Sequence, residues 1–238
     1  MNYSNPSVLF LRVGSLGSVQ DVLVNLNEVV GIVQTEDGER NRFVRSMGPP
    51  ERASFEGRRI RRPRRGRLRF EKKIRIDEDP PYEIIKPYNV YYYLFSVGTM
   101  HILLIVADRG VHQYLRRLLV GLGLAIYSIN LDRRVQSRLA QSRDVTNYAT
   151  ETEDDLEPEI GKMRVVARSS GIDIQGTVAE RFVDGRGAGR DQGLTWFGCS
   201  SGHKMTFWIY HRGSINVKDP QVNEQHLLEL IDLILSVM

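Results

Sequence analysis

Four residues that follow a strongly basic stretch have the types that metal-dependent nucleases use. They stand in the order Asp…Glu-x-x-Lys and are Asp77, Asp79, Glu83 and Lys86. In such enzymes, carboxylates on adjacent strands hold a magnesium ion near a lysine. Here Asp79-Pro80-Pro81 and Lys86-Pro87 place the group in turn-forming sequence instead. We therefore keep a magnesium-dependent nuclease as a second alternative and assign these residues no metal.

A second motif, Gly198-Cys199-Ser200-Ser201-Gly202, matches G-x-S-x-G, the turn that carries the nucleophilic serine of α/β-hydrolases. Asp219 and His226 follow in the chain order that such a triad requires. The mechanism needs a helix directly after the serine, whereas residues 205–210 have the pattern of a strand. We interpret the motif as a hairpin loop and predict no catalytic residue.

Other candidate ligand sites lack the spacing that their chemistry needs. Cys199, His203 and His211 contain no Cys-x-x-Cys or His-Glu-x-x-His pattern, so we predict no metal. The glycine-rich residues 184–190 do not open a helix and lack Gly-Lys-Ser/Thr, so we predict no nucleotide cofactor. A single cysteine cannot form an intrachain disulfide, and we expect a reducing, cytoplasmic location.

The distribution of charge is the strongest functional signal. The 238 residues carry a formal net charge of +4, but residues 52–75 hold ten arginines and two lysines against two glutamates. Residues 151–159 hold six acidic residues and no basic one. So many like charges in one stretch reduce folding stability unless an anionic partner offsets them. Guanidinium groups also match phosphate geometry through paired hydrogen bonds.

We therefore predict that the basic arm, residues 52–75, contacts the phosphate backbone of DNA or RNA. The predicted contacts are Arg58, Arg59, Arg61, Arg62, Arg64, Arg65, Arg67, Arg69, Lys72, Lys73 and Arg75. The function we favour is a non-catalytic nucleic-acid-binding subunit of a larger assembly, without a cofactor. The first alternative is a protein-interaction subunit whose basic arm docks on an acidic partner. A homo-oligomer is compatible with either function.

The hydrophobic pattern predicts an α+β fold with two mixed sheet-and-helix units, each with a β-hairpin before a helix. The first unit spans residues 1–142 and carries the basic arm. An acidic linker is expected at 143–162, followed by antiparallel strands and a closing helix at 163–238. Apolar residues from Val19 to Val33 recur at helical spacing, although the last valines alternatively open a hairpin through residues 36–39.

The uncharged residues 87–107 are numerous enough to cross a membrane. Their aromatic, β-branched and polar content favours strands, and we read 89–97 and 100–107 as a hairpin. We therefore expect no membrane segment.

Overall fold

The computed structural model describes residues 2–35, 38–77, 82–107, 109–142, 145–148, 166–168, 191–210 and 213–238. The helices in these ranges are α1 (Leu16–Val24), α2 (Arg109–Gly121), α3 (Arg133–Ala140) and α4 (Glu224–Val237). The strands in the same ranges are β1 (Asn2–Tyr3), β2 (Ser7–Val13), β3 (Asn27–Thr35), β4 (Gly38–Ser46), β5 (Glu51–Arg52), β6 (Arg64–Ile76), β7 (Tyr82–Val97), β8 (Met100–Val106), β9 (Ile126–Ser128), β10 (Val145–Tyr148), β11 (Val166–Arg168), β12 (Asp191–Trp196), β13 (Met205–Tyr210), β14 (Ser214–Val217) and β15 (Val222–Asn223).

The chain divides into two compact units that are not continuous in sequence. The first unit contains Met1–Leu11, Phe55–Arg61 and Ser128–Met238, and the second contains Arg12–Ser54 and Arg62–Tyr127. The basic arm is therefore divided between them. Most of the predicted linker at 143–162 lies outside the described residues, so the predicted domain boundaries stay a prediction.

The first unit is an antiparallel ladder with a helix that closes its core. Its strands follow the order β11-β10-β12-β13-β14-β2. Every second residue of β13 is buried, at Met205, Phe207 and Ile209, which is the pattern of a strand with one face in the core. Helix α4 adds a dense apolar face, and Asn223 caps its first turn by accepting the His226 N–H at 2.8 Å.

The second unit is built around two long paired strands. Its order is β8-β7-β6-β4-β3, and β6 and β7 pair continuously from Arg64 opposite Leu94 to Ile76 opposite Tyr82. Helix α2 packs on one face of this ladder, where the Phe70 and Tyr114 rings lie 5.5 Å apart. This leaves part of the opposite face available for polar side chains.

The predicted fold class, two hairpin-then-helix units, is wrong. Antiparallel sheet dominates the chain, with 49% strand and 24% helix. One reason lies at residues 19–33, where valines fit a helix and a strand equally well. Helix α1 ends at Val24, and β3 then pairs with β4. The alternative hairpin through residues 36–39 is confirmed, although residues 36 and 37 themselves lie outside the described ranges.

The hairpin predicted within residues 87–107 is confirmed. Strands β7 and β8 pair directly from Tyr91 opposite Val106 to Val97 opposite Met100. Among the helices in the described ranges, none combines the length and apolar character needed to cross a membrane.

Candidate nucleic-acid interface

One face of the second unit carries a row of basic side chains across β4, β6 and β7. Arg45 lies directly opposite Arg69, and Arg69 lies directly opposite Asn89. Directly paired residues project to the same side of a sheet. Arg67 precedes Arg69 by two residues, so it projects to this side too, opposite Tyr91. We call the surface formed by Arg45, Arg67, Arg69, Asn89 and Tyr91 the cationic face.

Strand alternation explains why these cations point away from the core. Val44, Leu68 and Val90 are at most 2% exposed and project to the opposite side of the same three strands. Burying those side chains fixes the register of the strands, because a slip by one residue would bury the charges. As a result, Arg45 and Arg67 are exposed and Arg69 is half-buried.

The described residues leave the charges of the cationic face unpaired. Within the described ranges, no carboxylate forms an ion pair with Arg45, Arg67 or Arg69. The Arg69 Nε atom is buried and has no acceptor among the same residues. Like charges placed directly opposite each other destabilise a sheet. An anion bound over this face would relieve that repulsion.

Other predicted phosphate contacts in the second unit are already engaged. Three form ion pairs with carboxylates: Arg65 with Glu51, Lys73 with Glu83 and Arg75 with Asp77. Two contact uncharged side chains: Arg64 donates to Gln20, and Lys72 Nζ lies 5.5 Å from the centre of the Tyr88 ring. Arg62 lies in the left-handed region, with φ 49°. Exposed ion pairs are weak, so these cations can serve a ligand only as a secondary set.

The remaining predicted contacts belong to the first unit. Arg58, Arg59 and Arg61 expose their side chains, but their turn is anchored. The backbone N–H groups of residues 58–60 donate to the Asp232 carboxylate at 2.7–2.9 Å, and Ile60 is completely buried. This segment offers few apolar side chains for packing. One isoleucine and one distant carboxylate are enough to fix it.

The nuclease candidates that the structure describes are not gathered into one site. Asp77 pairs with Arg75, Glu83 pairs with Lys73, and Asp79 lies outside the described residues. Glu83 and Lys86 are three residues apart on β7, so they project to opposite faces. Within the described part of the chain, no group of three acidic, histidine or cysteine side chains is positioned to hold a metal ion.

Arg45 was missed by the sequence analysis, because it lies outside the window with the highest charge density. The signal that could have found it is the alternation of basic and apolar residues. Arg45 follows the apolar Val44, just as Arg67 and Arg69 flank Leu68. Only the pairing of β4 with β6 brings these cations together, and that register is not a local property.

Comparison with known proteins adds no assignment. A scan against protein-family models finds no match, and neither does a search of curated proteins. What the chain does must therefore be inferred from its own residues.

Proposed function

We propose that this chain is a nucleic-acid-binding protein that contacts the phosphate backbone through the cationic face. The observation that supports this most is the direct opposition of Arg45 and Arg69 on a sheet surface without a carboxylate partner in the described ranges. The two guanidinium groups come from strands about 4.8 Å apart, and Arg67 lies about 6.7 Å along β6. Three cations this close can contact several phosphate oxygens together.

The polar and aromatic neighbours extend this surface beyond charge alone. Asn89, opposite Arg69, is exposed and can exchange hydrogen bonds with sugar or phosphate groups. Tyr91, opposite Arg67, is half-buried and offers a ring against which an unpaired base can stack. Phosphate contacts determine affinity more than sequence preference, so binding is expected to be largely sequence-independent.

Several predictions remain beside this proposal. The exposed side chains of Arg58, Arg59 and Arg61 stay predicted phosphate contacts of the first unit. A role as a non-catalytic subunit of a larger assembly and a cytoplasmic location also stay predictions from the sequence.

A salt titration with charge variants tests the proposal. Duplex and single-stranded probes of unrelated sequence are bound by the unmodified chain and by the variant Arg45→Gln/Arg67→Gln/Arg69→Gln, from about 50 to 200 mM salt. Each neutralised phosphate contributes about −0.9 to the slope of log K against log salt for duplex DNA and about −0.7 for single strands. The variant is therefore expected to lose up to about 3 units of slope on duplex and about 2 on single strands.

The matched control removes the same number of charges from cations that are already paired. Arg65→Gln/Lys73→Gln/Arg75→Gln is expected to change the slope by less than half as much. Equal losses in the two variants would show that net charge, not the cationic face, determines binding. An affinity and salt slope of the cationic-face variant equal to those of the unmodified chain would overturn the proposal. Selective binding of acidic polypeptides instead of nucleic acid would favour the protein-interaction alternative.

A further inference from the structure

The loop between β12 and β13 carries a second group of reactive side chains, all within the first unit. Ser201 is exposed, and its Oγ lies 2.8 Å from Nε2 of His226, the third residue of α4. His226 is only 8% exposed. The sequence motif pointed to Ser200 as the centre of G-x-S-x-G, but Ser200 bonds to Glu229. The serine that contacts His226 is Ser201, the residue after Ser200.

The surrounding hydrogen bonds fix the direction of the contact between serine and histidine. Ser201 Oγ accepts the backbone N–H of His203 at 3.3 Å, and its hydroxyl also contacts His226 Nε2 and the Cys199 side chain. Asn223 uses its Oδ1 to accept the His226 N–H, and its Nδ2 lies 3.2 Å from the same Nε2. The Asn223 Nδ2 group can only donate, so we assign Nε2 as the acceptor and place the ring proton on Nδ1.

This tautomer is the one that a general base requires. An unprotonated Nε2 in contact with a serine hydroxyl can take its proton as the oxygen attacks. Burial, followed by the neighbouring His203, lowers the pKa of His226, so the ring is neutral at pH 7. The base is therefore in its active form at physiological pH.

The arrangement differs from a serine–histidine–aspartate triad in the position of the acid. His226 Nδ1 is buried and has no acceptor among the described residues. Asp219 instead bonds His203 Nε2 at 2.6 Å, and the His203 ring is stacked on His226 with centroids 4.3 Å apart. Asp219 and Glu229 both favour the protonated form of His226 through their charges, so they stabilise the imidazolium that forms during reaction.

The reacting hydroxyl is open to solvent, because Ser201 is exposed, so a small ester can reach it directly. A cavity of about 850 Å³ borders the same loop, lined in part by Gly198 and Gln225, but neither Ser201 nor His226 lines it. The proposal therefore rests on the contact between the serine and the histidine and not on this cavity.

We propose that Ser201 and His226 form a nucleophile–base pair that cleaves small carboxylic esters. Ser201 Oγ attacks the ester carbonyl and its proton passes to His226 Nε2. The bond to the alcohol oxygen then breaks, and the alcohol leaves with that proton. Water subsequently attacks the acyl-serine, loses one proton to His226 and releases the carboxylic acid, and that proton returns to Ser201.

Covalent labelling tests this activity on the unmodified full-length chain. A fluorophosphonate probe is attacked by an activated serine with loss of fluoride, and the adduct is located by peptide mass spectrometry. One adduct per chain at Ser201 is expected. Turnover of p-nitrophenyl acetate should fall about tenfold or more in Ser201→Ala and in His226→Gln.

Ser200→Ala is the matched control, because it removes the adjacent hydroxyl and leaves the Ser201–His226 contact in place. It should keep most of the labelling and turnover, and thermal melts confirm that each variant is folded. An adduct at Ser200, or a folded unmodified chain without any adduct, would overturn the proposal. The nucleic-acid proposal is tested with variants of other residues. A negative result in one test therefore does not bear on the other.

Discussion

Gly66 of β6 and Tyr92 of β7 lie directly opposite each other, and the tyrosine ring fills the space that a side chain at position 66 would occupy. A Cβ atom at Gly66 would lie 2.0 Å from the ring carbon that carries the Tyr92 hydroxyl. Tyr92 is 1% exposed, and burial raises its pKa to about 12. The glycine thus lets an aromatic residue cover a long central strand.

We expect Gly66→Ala to reduce the free energy of unfolding by about 1 to 3 kcal/mol or more, because a methyl group would overpack this contact. Urea denaturation measures the loss. Gly121→Ala is the control, since a Cβ there meets no atom within 4 Å and the substitution raises helix propensity. In a double-mutant cycle, Tyr92→Leu should recover part of the Gly66→Ala loss. Strict additivity of the two changes would contradict a direct clash.

The Asp232 carboxylate yields a prediction for the turn that carries Arg58 and Arg59. Three consecutive N–H groups donate to it, and Gly57 packs so closely that a Cβ would lie 2.5 Å from the carboxylate. Asp232→Asn replaces one acceptor oxygen by a donor, which costs about 1 to 3 kcal/mol for a buried N–H left unpaired. We expect trypsin to cut after Arg58 and Arg59 sooner in this variant, as mapped by mass spectrometry.

Asp77→Asn provides the comparison for that experiment, because Asp77 is an exposed carboxylate in a surface ion pair. Its effect on stability should stay below about 0.5 kcal/mol. If trypsin cuts the Asp232→Asn variant and the unmodified chain equally fast in this turn, the carboxylate does not hold it.

Local pattern was sufficient for some elements of the fold and insufficient for others. Alternation at Leu68 and Phe70 is typical of a strand with a cationic outer side, and β6 has that form. At Val29, Val30 and Val33 the pattern of apolar residues fits both a helix and a strand. Pairing with β4 makes this segment a strand. Tertiary partners are needed there, since a short valine-rich segment has no single intrinsic preference.

The candidate sites show the same limit at the level of side chains. The basic arm could be recognised because charge density is a local property of the sequence. The opposition of Arg45 and Arg69 depends on register between strands, and the contact of Ser201 with His226 joins residues 25 positions apart. The G-x-S-x-G motif centres on Ser200, and a spacing pattern does not show which hydroxyl faces the histidine.

Cys199 is expected to be an unreactive thiol. Burial, followed by a hydrogen bond to the Glu229 carboxylate and its charge, raises the pKa of Cys199 to about 12. At pH 8 only about one thiol in ten thousand is then ionised, and the thiolate is the reactive form. Iodoacetamide should leave the folded chain unlabelled at pH 8 and label it fully in denaturant. Glu229→Gln should speed labelling of the folded chain only moderately, since burial remains. Rapid labelling of the unmodified folded chain would contradict this account.

Stability is expected to fall in two steps as the pH decreases, and the first step reports on His226. Burial and the nearby His203 lower its pKa when folded, whereas Asp219 and Glu229 oppose this only in part. Below about pH 6.5 the unfolded chain therefore binds a proton that the folded chain does not, so the free energy of unfolding decreases with falling pH.

The second step reports on Glu229. Burial alone would raise its pKa, but hydrogen bonds from Cys199, Ser200 and Gln225 bring it below the ordinary value. Its contribution to stability is therefore present above about pH 4.3 and is lost as the pH falls through its folded pKa. Urea denaturation between pH 7.5 and 3.5 measures both steps. His226→Gln should remove the step that begins below pH 6.5 and keep the step at lower pH. Glu229→Gln should keep the first step and remove the one at lower pH. A first step that persists unchanged in His226→Gln would assign it to another group.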